Sequence, residues 1–170
     1  KNEVRFSMVN IVLYEPEMPM NTGNIGRTCV ATGARLHLIE PLGFKLDDKS
    51  VKRAGLDYWP RVDVTVYSDF EDFKAKNPDA VLYMATTKSK QKYTDVKYPE
   101  NAYIMLGPES RGIPEEILLE SKETCVRIPM MPGERSLNLS NAAAIMVYEV
   151  LRQQEFPGLE EEGQLHRYEW

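Results

Sequence analysis

Residues 124–153 read TCVRIPMMPGERSLNLSNAAAIMVYEVLRQ, and this stretch decides the fold. It opens on a β-like run, Cys125-Val126-Arg127-Ile128, that stops at Pro129 and again at Pro132-Gly133, because proline cannot donate to a sheet. A polar segment follows, and Leu139, Ala142, Ala143, Met146, Val147, Val150 and Leu151 then recur at helical spacing. Ile145 widens the stripe, so the first turns are expected to be covered on more than one side. Asn138, Ser140 and Asn141 are each competent N-caps. Strand, polar loop and buried helix in that order is where α/β proteins place ligands. A capped core helix after an ordinary loop explains the same spacing, but the density of amide and hydroxyl side chains favours a site.

The rest of the chain repeats the alternation. Residues 9–14 form an unbroken apolar run, as in a strand buried on both faces. A helix capped by Asn21 or Thr22 is expected to run to Gly33, and residues 35–39 give a second strand. Strands are expected at 62–67, 80–85, 102–106 and 125–128, with short helices near 49–56, 69–76 and 114–119. This is an α/β pattern: a mostly parallel sheet flanked by helices. Polar loops follow Ala85, Leu106 and Ile128, and open sheets carry their sites at such strand ends.

The 170 residues suffice for one domain with an ordinary core. Composition, 42% hydrophobic and 28% charged, reads as globular, with no membrane-length apolar run and no secretory signal. Lys1 in place of Met reads as a processed or recut start. Two cysteines outside any CxxC pair indicate reduced thiols and a cytoplasmic location. The net charge of −5 does not itself suggest nucleic acid, but it is uneven. Glutamates crowd the tail, whereas Lys45, Lys49, Lys52, Arg53 and Arg61, then Lys88, Lys90, Lys92 and Lys97, form basic clusters. Each is either a solvated face or a contact for a polyanion.

Chemistry is constrained by what is missing. There is no GxGxxG after a strand and no P-loop. His37 lies mid-strand and reads as structural, and His166 lies in the tail, so neither a Ser-His-Asp triad nor a metal site is expected. Amides, hydroxyls, glycines and arginines remain. They suit a reaction between a hydroxyl and an activated group donor, run mostly by positioning.

Three segments carry a resemblance: Asn21-Thr22-Gly23-Asn24-Ile25-Gly26-Arg27, Leu106-Gly107-Pro108-Glu109-Ser110-Arg111-Gly112, and Ile128-Pro129-Met130 with Ser136-Leu137-Asn138-Leu139-Ser140-Asn141. In this order they resemble the three motifs of the SPOUT RNA 2′-O-methyltransferases. Leu13-Tyr14-Glu15-Pro16 and Arg53-Ala54-Gly55-Leu56-Asp57-Tyr58 extend the match. The similarity is greatest to minimal members that methylate the wobble-position ribose, cytidine or uridine 34, of certain leucine tRNAs. It implies a C-terminal trefoil knot, a homodimer, tRNA (the anticodon stem-loop) as partner, and S-adenosylmethionine as donor with S-adenosylhomocysteine as product. The domain is expected to span 1–158, with 159–170 an acidic tail.

Carried over by position, the resemblance implies cofactor contacts at Ala85, Gly107, Ile128 and Ser136, with Leu106, Met130, Leu137 and Leu139 contributing. Arg27 is the implied catalytic residue. A guanidinium deprotonates only above pH ~12, so Arg27 is read as gripping a tRNA phosphate, orienting the ribose and stabilising the developing alkoxide, with the proton leaving through a phosphate or water. Asn21 and Asn24 fix either the loop or the ribose. Glu109, Arg111 and Arg135 either shape the loops or touch substrate, and Asn138 and Arg53 are further substrate candidates. Gly23, Ile25 and the final helix are candidates for the dimer interface. A non-catalytic RNA-binding dimer using Tyr58 and Trp59 to stack bases is the alternative, as is 2′-O-methylation of another RNA.

Overall fold

The computed structural model describes residues 8–170. The start at Lys1 lies outside them. Six strands, β1 (Asn10–Tyr14), β2 (Arg35–Ile39), β3 (Val64–Tyr67), β4 (Leu82–Ala85), β5 (Tyr103–Leu106) and β6 (Cys125–Val126), form one sheet in the order β3-β2-β1-β5-β4-β6. Every pairing is parallel. Strand order reverses between β1 and β5, which makes their carboxyl ends the sheet's switch point.

Alternate residues feed two cores, as a two-sided sheet requires. Ile11, Leu13, Leu36, Leu38, Ile104 and Leu106 pack on one face with Ile25, Cys29, Met146 and Val150 from two long helices. Val12, Ile39, Met84 and Met105 pack on the other with Phe73 and Leu118. The long helices are α1 (Pro19–Thr32) and α5 (Leu139–Gln153). Between them lie α2 (Lys49–Gly55), which continues as a 3₁₀ helix over Leu56–Arg61, then α3 (Phe70–Lys76) and α4 (Glu115–Glu120).

Several boundaries differ from expectation. Helix α1 starts at Pro19, so Asn21 and Thr22 are inside its first turn rather than capping it. Proline suits that position because its missing N–H is not needed there. No side chain caps the helix; Glu109 instead fixes the segment before it, accepting from the backbone N–H groups of Glu17 and Met18 at 2.8 and 3.2 Å. Gly33 ends the helix at φ 75°, as expected. Pro114 precedes α4 rather than lying in its first turn. Strand β6 is two residues long because Arg127 leaves β4 to pair with the 91–93 loop: its N–H donates to Gln91 O and its carbonyl accepts from Tyr93 N.

His37 is buried and structural. Asn10 turns its Nδ2 to Asn101 and Ala102, so its Oδ1 faces His37 Nε2 at 2.9 Å and fixes Nε2–H as the donor. His37 Nδ1 then accepts from the Tyr67 hydroxyl at 2.8 Å. Burial, with the Arg35 charge adding, lowers the His37 pKa to about 4. The unfolded chain takes up this proton near the usual value of about 6.5. His37 should therefore contribute full stability above that pH and lose it as pH falls toward 4, on the order of 3 kcal/mol in all. Unfolding measured across pH 4–7 should be steeper for the natural chain than for His37→Gln.

Candidate active site

The loops leaving β1, β4, β5 and β6 enclose a cavity of about 600 Å³, a size that suits a nucleoside-bearing ligand. All eight positions expected to contact the cofactor line it: Ala85, Leu106, Gly107, Ile128, Met130, Ser136, Leu137 and Leu139. Gly107 is the tightest point of the wall. A Cβ there would sit 2.2 Å from both Gly112 C and Ile113 N, so the 107–113 loop closes on itself only over a bare backbone.

A polar lattice holds the wall. Asn21, 5% exposed, donates from Nδ2 to Glu109 Oε1 at 3.3 Å and accepts at Oδ1 from Asn138 Nδ2 at 3.2 Å. Asn138 Oδ1 in turn caps α5, accepting from the N–H groups of Ser140 and Asn141. Glu17 reaches the other way, accepting from the N–H and hydroxyl of Ser110 at 2.9 and 2.7 Å. These two bonds hold the Glu17 carboxyl below its usual pKa. Arg111 pairs with Glu15 at 3.1 Å. The three motifs are thus one hydrogen-bonded unit: the start of α1, the loop after β5 and the start of α5.

Asn138 is therefore a cap and a tie. Asn138→Ala should destabilise by about 1–2 kcal/mol through the cap alone. Asn138→Asp should recover most of that while still losing the donor to Asn21. Thermal unfolding of both variants checks the split.

Three expected site residues lie elsewhere. Arg27 and Asn24 are exposed on α1, and Arg53 is exposed on α2. Arg27 is six residues beyond Asn21, which carries it about 9 Å along the helix and onto a different face. Its guanidinium lies over the Tyr58 ring, 5.4 Å from the centroid. Gly23 and Ile25 are covered within this chain, which removes them as interface residues. Ile25 is fully buried in the core, and a Cβ on Gly23 would meet Val51 O at 2.4 Å. Trp59 is likewise packed on Gly26, where a Cβ would stand 2.7 Å from its ring, so that ring face is not free to stack on a base.

The cavity also takes Met18, Thr86 and Ile113, which the sequence did not single out, together with Lys88 of a basic cluster and Ala142 of the apolar helical stripe. Thr86 and Lys88 follow β4 directly, so their loop was legible; Ala142 belongs to the apolar stripe of α5 and also faces the cavity edge. Lys88 pairs with Glu115 at 3.4 Å. Among the described residues no group of three or more His, Cys, Asp or Glu is gathered as for a metal. No described helix is long and apolar enough to cross a membrane.

A parallel α/β sheet with a nucleoside-sized pocket at its switch point, walled by amides and glycine, defines a ligand-binding α/β protein that works by positioning. The chain belongs to the SpoU rRNA Methylase family, whose model matches residues 8–148. It is 52% identical over 153 residues to the tRNA (cytidine(34)-2′-O)-methyltransferase of Escherichia coli K12, covering 89% of this chain and 97% of that one. The Saccharophagus degradans protein of the same name is 50% identical over 152 residues, 89% of this chain and 99% of its own. A solved structure described as "Structural insights into the 2-OH methylation of C/U34 on tRNA" superposes with a TM-score of 0.85 at 41% identity, covering 89% of this chain and 99% of that one. The Streptomyces viridochromogenes AviRb methyltransferase, solved with AdoMet, shares the fold at a TM-score of 0.77 and 23% identity, covering 90% of this chain and 60% of that one.

Proposed function

We propose that this chain transfers a methyl group from S-adenosylmethionine to the 2′-hydroxyl of the wobble nucleotide, cytidine or uridine 34, of leucine tRNAs. The observation that carries this reading is the convergence of the three motif segments on one cavity at the switch point. The relatives named for the same reaction support it.

The pocket suits the donor. Leu106, Ile128, Met130 and Leu137 offer an apolar slot for an adenine, and Gly107 lets backbone approach it closely. Two of the three lining cations, Lys88 and Arg111, are already paired with glutamates, which lowers their repulsion of a sulfonium. When bound, the donor supplies a methyl carbon activated by the positive sulfur. The protein's task is then to hold the ribose hydroxyl in line and stabilise the charge it develops.

Arg27 performs that task by gripping a phosphate next to nucleotide 34. Asn24, Arg53 and Arg135 contact RNA, whereas Asn21, Glu109, Arg111 and Asn138 are committed to the lattice and build the site. Because Arg27 is off its own pocket, we assign the active form to a homodimer joined over the outer faces of α1 and α5. Met20 and Tyr148 are 58% and 47% exposed there, beside half-covered Ile145. Such pairing brings each Arg27 toward the other protomer's cavity. Sedimentation should find a dimer; a fully active monomer would contradict it.

The return of the chain from edge strand β6 to α5, with Gln153 bonded to the backbone of Val96 and Tyr98, supports the trefoil knot. The catalytic unit is 1–158, the 159–170 tail is accessory, and the enzyme works in the cytoplasm, where its tRNA is.

Labelled S-adenosylmethionine incubated with total tRNA tests the function. The digested product should be a 2′-O-methyl pyrimidine nucleoside from position 34. Cofactor binding without transfer to any tRNA would move the assignment to another RNA, and neither binding nor transfer would favour the RNA-binding dimer.

A further inference from the structure

The surface around Arg27 holds an arrangement that the methyl-transfer site does not account for. Arg27 and Arg61 both place their guanidinium carbons over the ring of Tyr58, at 5.4 and 4.9 Å from its centroid. Both distances are within cation–π range. Neither arginine is ion-paired with a carboxylate among the described residues, and both are exposed. Two guanidiniums that share one half-buried ring repel each other, and the ring contributes only modestly to holding them. An unpaired cation pair on a chain of net charge −5 points to an anion as its missing partner.

The ring is set in place at a cost. Leu56, the residue that joins α2 to the 3₁₀ helix, has φ 51° and ψ −143° and is 51% exposed. A branched apolar side chain in that region is strained, and its exposed side chain gains little from burial. The sharp turn drops Trp59 onto Gly26, one residue before Arg27, and Gly55 packs against the same indole. Tyr58, the neighbour of Trp59, is thereby fixed beside Arg27. Glycines at 23 and 26 let α2 and the indole approach α1 this closely. The strain, the two glycines and the half-buried indole converge on one outcome, the placement of the Tyr58 ring.

We infer that Tyr58 and Arg61 form a clamp with Arg27: Tyr58 is a positioning residue that aims the Arg27 fork, and Arg61 takes a neighbouring phosphate of the same RNA strand. The ligand class is the phosphodiester backbone of tRNA, not a base, so the clamp carries no sequence preference. It deepens the tRNA reading above and rests on it. A guanidinium suits this role because its planar fork meets a phosphate through two N–H groups at once. The phenol face suits it because the attraction survives without a carboxylate, which would compete with the phosphate.

The test measures tRNA affinity by filter binding across a salt series, with tRNA methylation alongside, for the natural chain, Arg61→Ala, Tyr58→Phe and Tyr58→Ala. Arg61→Ala should raise KM and Kd for tRNA about tenfold at low salt, leave kcat within about twofold, and lower the slope of log K against log salt by about 0.7–0.9, one phosphate's worth. Tyr58→Phe keeps the ring face and should behave like the natural chain. Tyr58→Ala should lose about tenfold in kcat, because Arg27 is no longer aimed, while binding S-adenosylmethionine unchanged by calorimetry. If Tyr58→Ala does not fold, Arg61→Ala and Tyr58→Phe still decide. An unchanged salt slope in Arg61→Ala, or a Tyr58→Phe variant as impaired as Tyr58→Ala, overturns the clamp. Should the natural chain bind tRNA without methylating it, the activity assignment fails while the binding arm still tests the clamp. If it binds no tRNA, the clamp falls too.

Discussion

Arg27→Lys is expected to lose about a hundredfold in kcat while binding S-adenosylmethionine as before. Lysine keeps the positive charge but not the planar fork, and the two donors it gives up are those that orient a phosphate and steady a developing alkoxide. Losing one preorganised donor to transition-state charge is worth roughly 10²–10³ in rate. The cofactor cavity should be untouched, because Arg27 does not line it. Its exposed position on α1 also means that the exchange costs little stability. Turnover near that of the natural chain would show that charge alone is enough and would remove Arg27 from the chemistry. A variant that also lost cofactor affinity would contradict the placement of Arg27 outside its own pocket.

Gly107→Ala should be the most damaging single change in the pocket wall. The added methyl overlaps backbone atoms of Gly112 and Ile113 at 2.2 Å, and backbone cannot swing aside as a side-chain tip can. Overpacking typically costs 1–3 kcal/mol, and with backbone on both sides the expected cost is about 3 kcal/mol. The wall must also shift, so S-adenosylmethionine binding should weaken by tenfold or more. Gly112→Ala is the informative comparison. Gly112 has φ 69° with open space around its Cβ position, so alanine there is strained but not blocked. It should cost about 1 kcal/mol. Urea unfolding and calorimetry on the two variants separate collision from backbone preference; equal costs would mean that the loop tolerates the methyl by opening.

The sheet was legible in the sequence because parallel strands buried on both faces leave runs such as Val9 to Tyr14 with no competing reading. The pocket was legible because strand-end loops carry their ligand residues within a few positions of the strand, so Gly107 follows Leu106 and Thr86 follows Ala85. What depended on distant partners was not legible. The start of α1 was misplaced because Pro19 opens the helix with no side-chain cap, and the bonds that fix the segment before it come from Glu109, about ninety residues away. Gly23 looked like an interface residue because nothing local reveals that α2 covers it. The amides Asn21 and Asn138 have the right chemistry for a ribose, yet they spend their hydrogen bonds on each other, on Glu109 and on the α5 cap. Which way Arg27 points was likewise set by Tyr58, thirty-one positions on.

The central claim is a single transfer to one hydroxyl. It is tested most directly with two otherwise identical leucine tRNAs, one carrying the ribose at position 34 and the other 2′-deoxyribose there. Labelled methyl should be incorporated at one per molecule in the first and be absent from the second, although both bind the protein equally. Equal incorporation into the deoxy tRNA would place the methyl elsewhere and contradict the account.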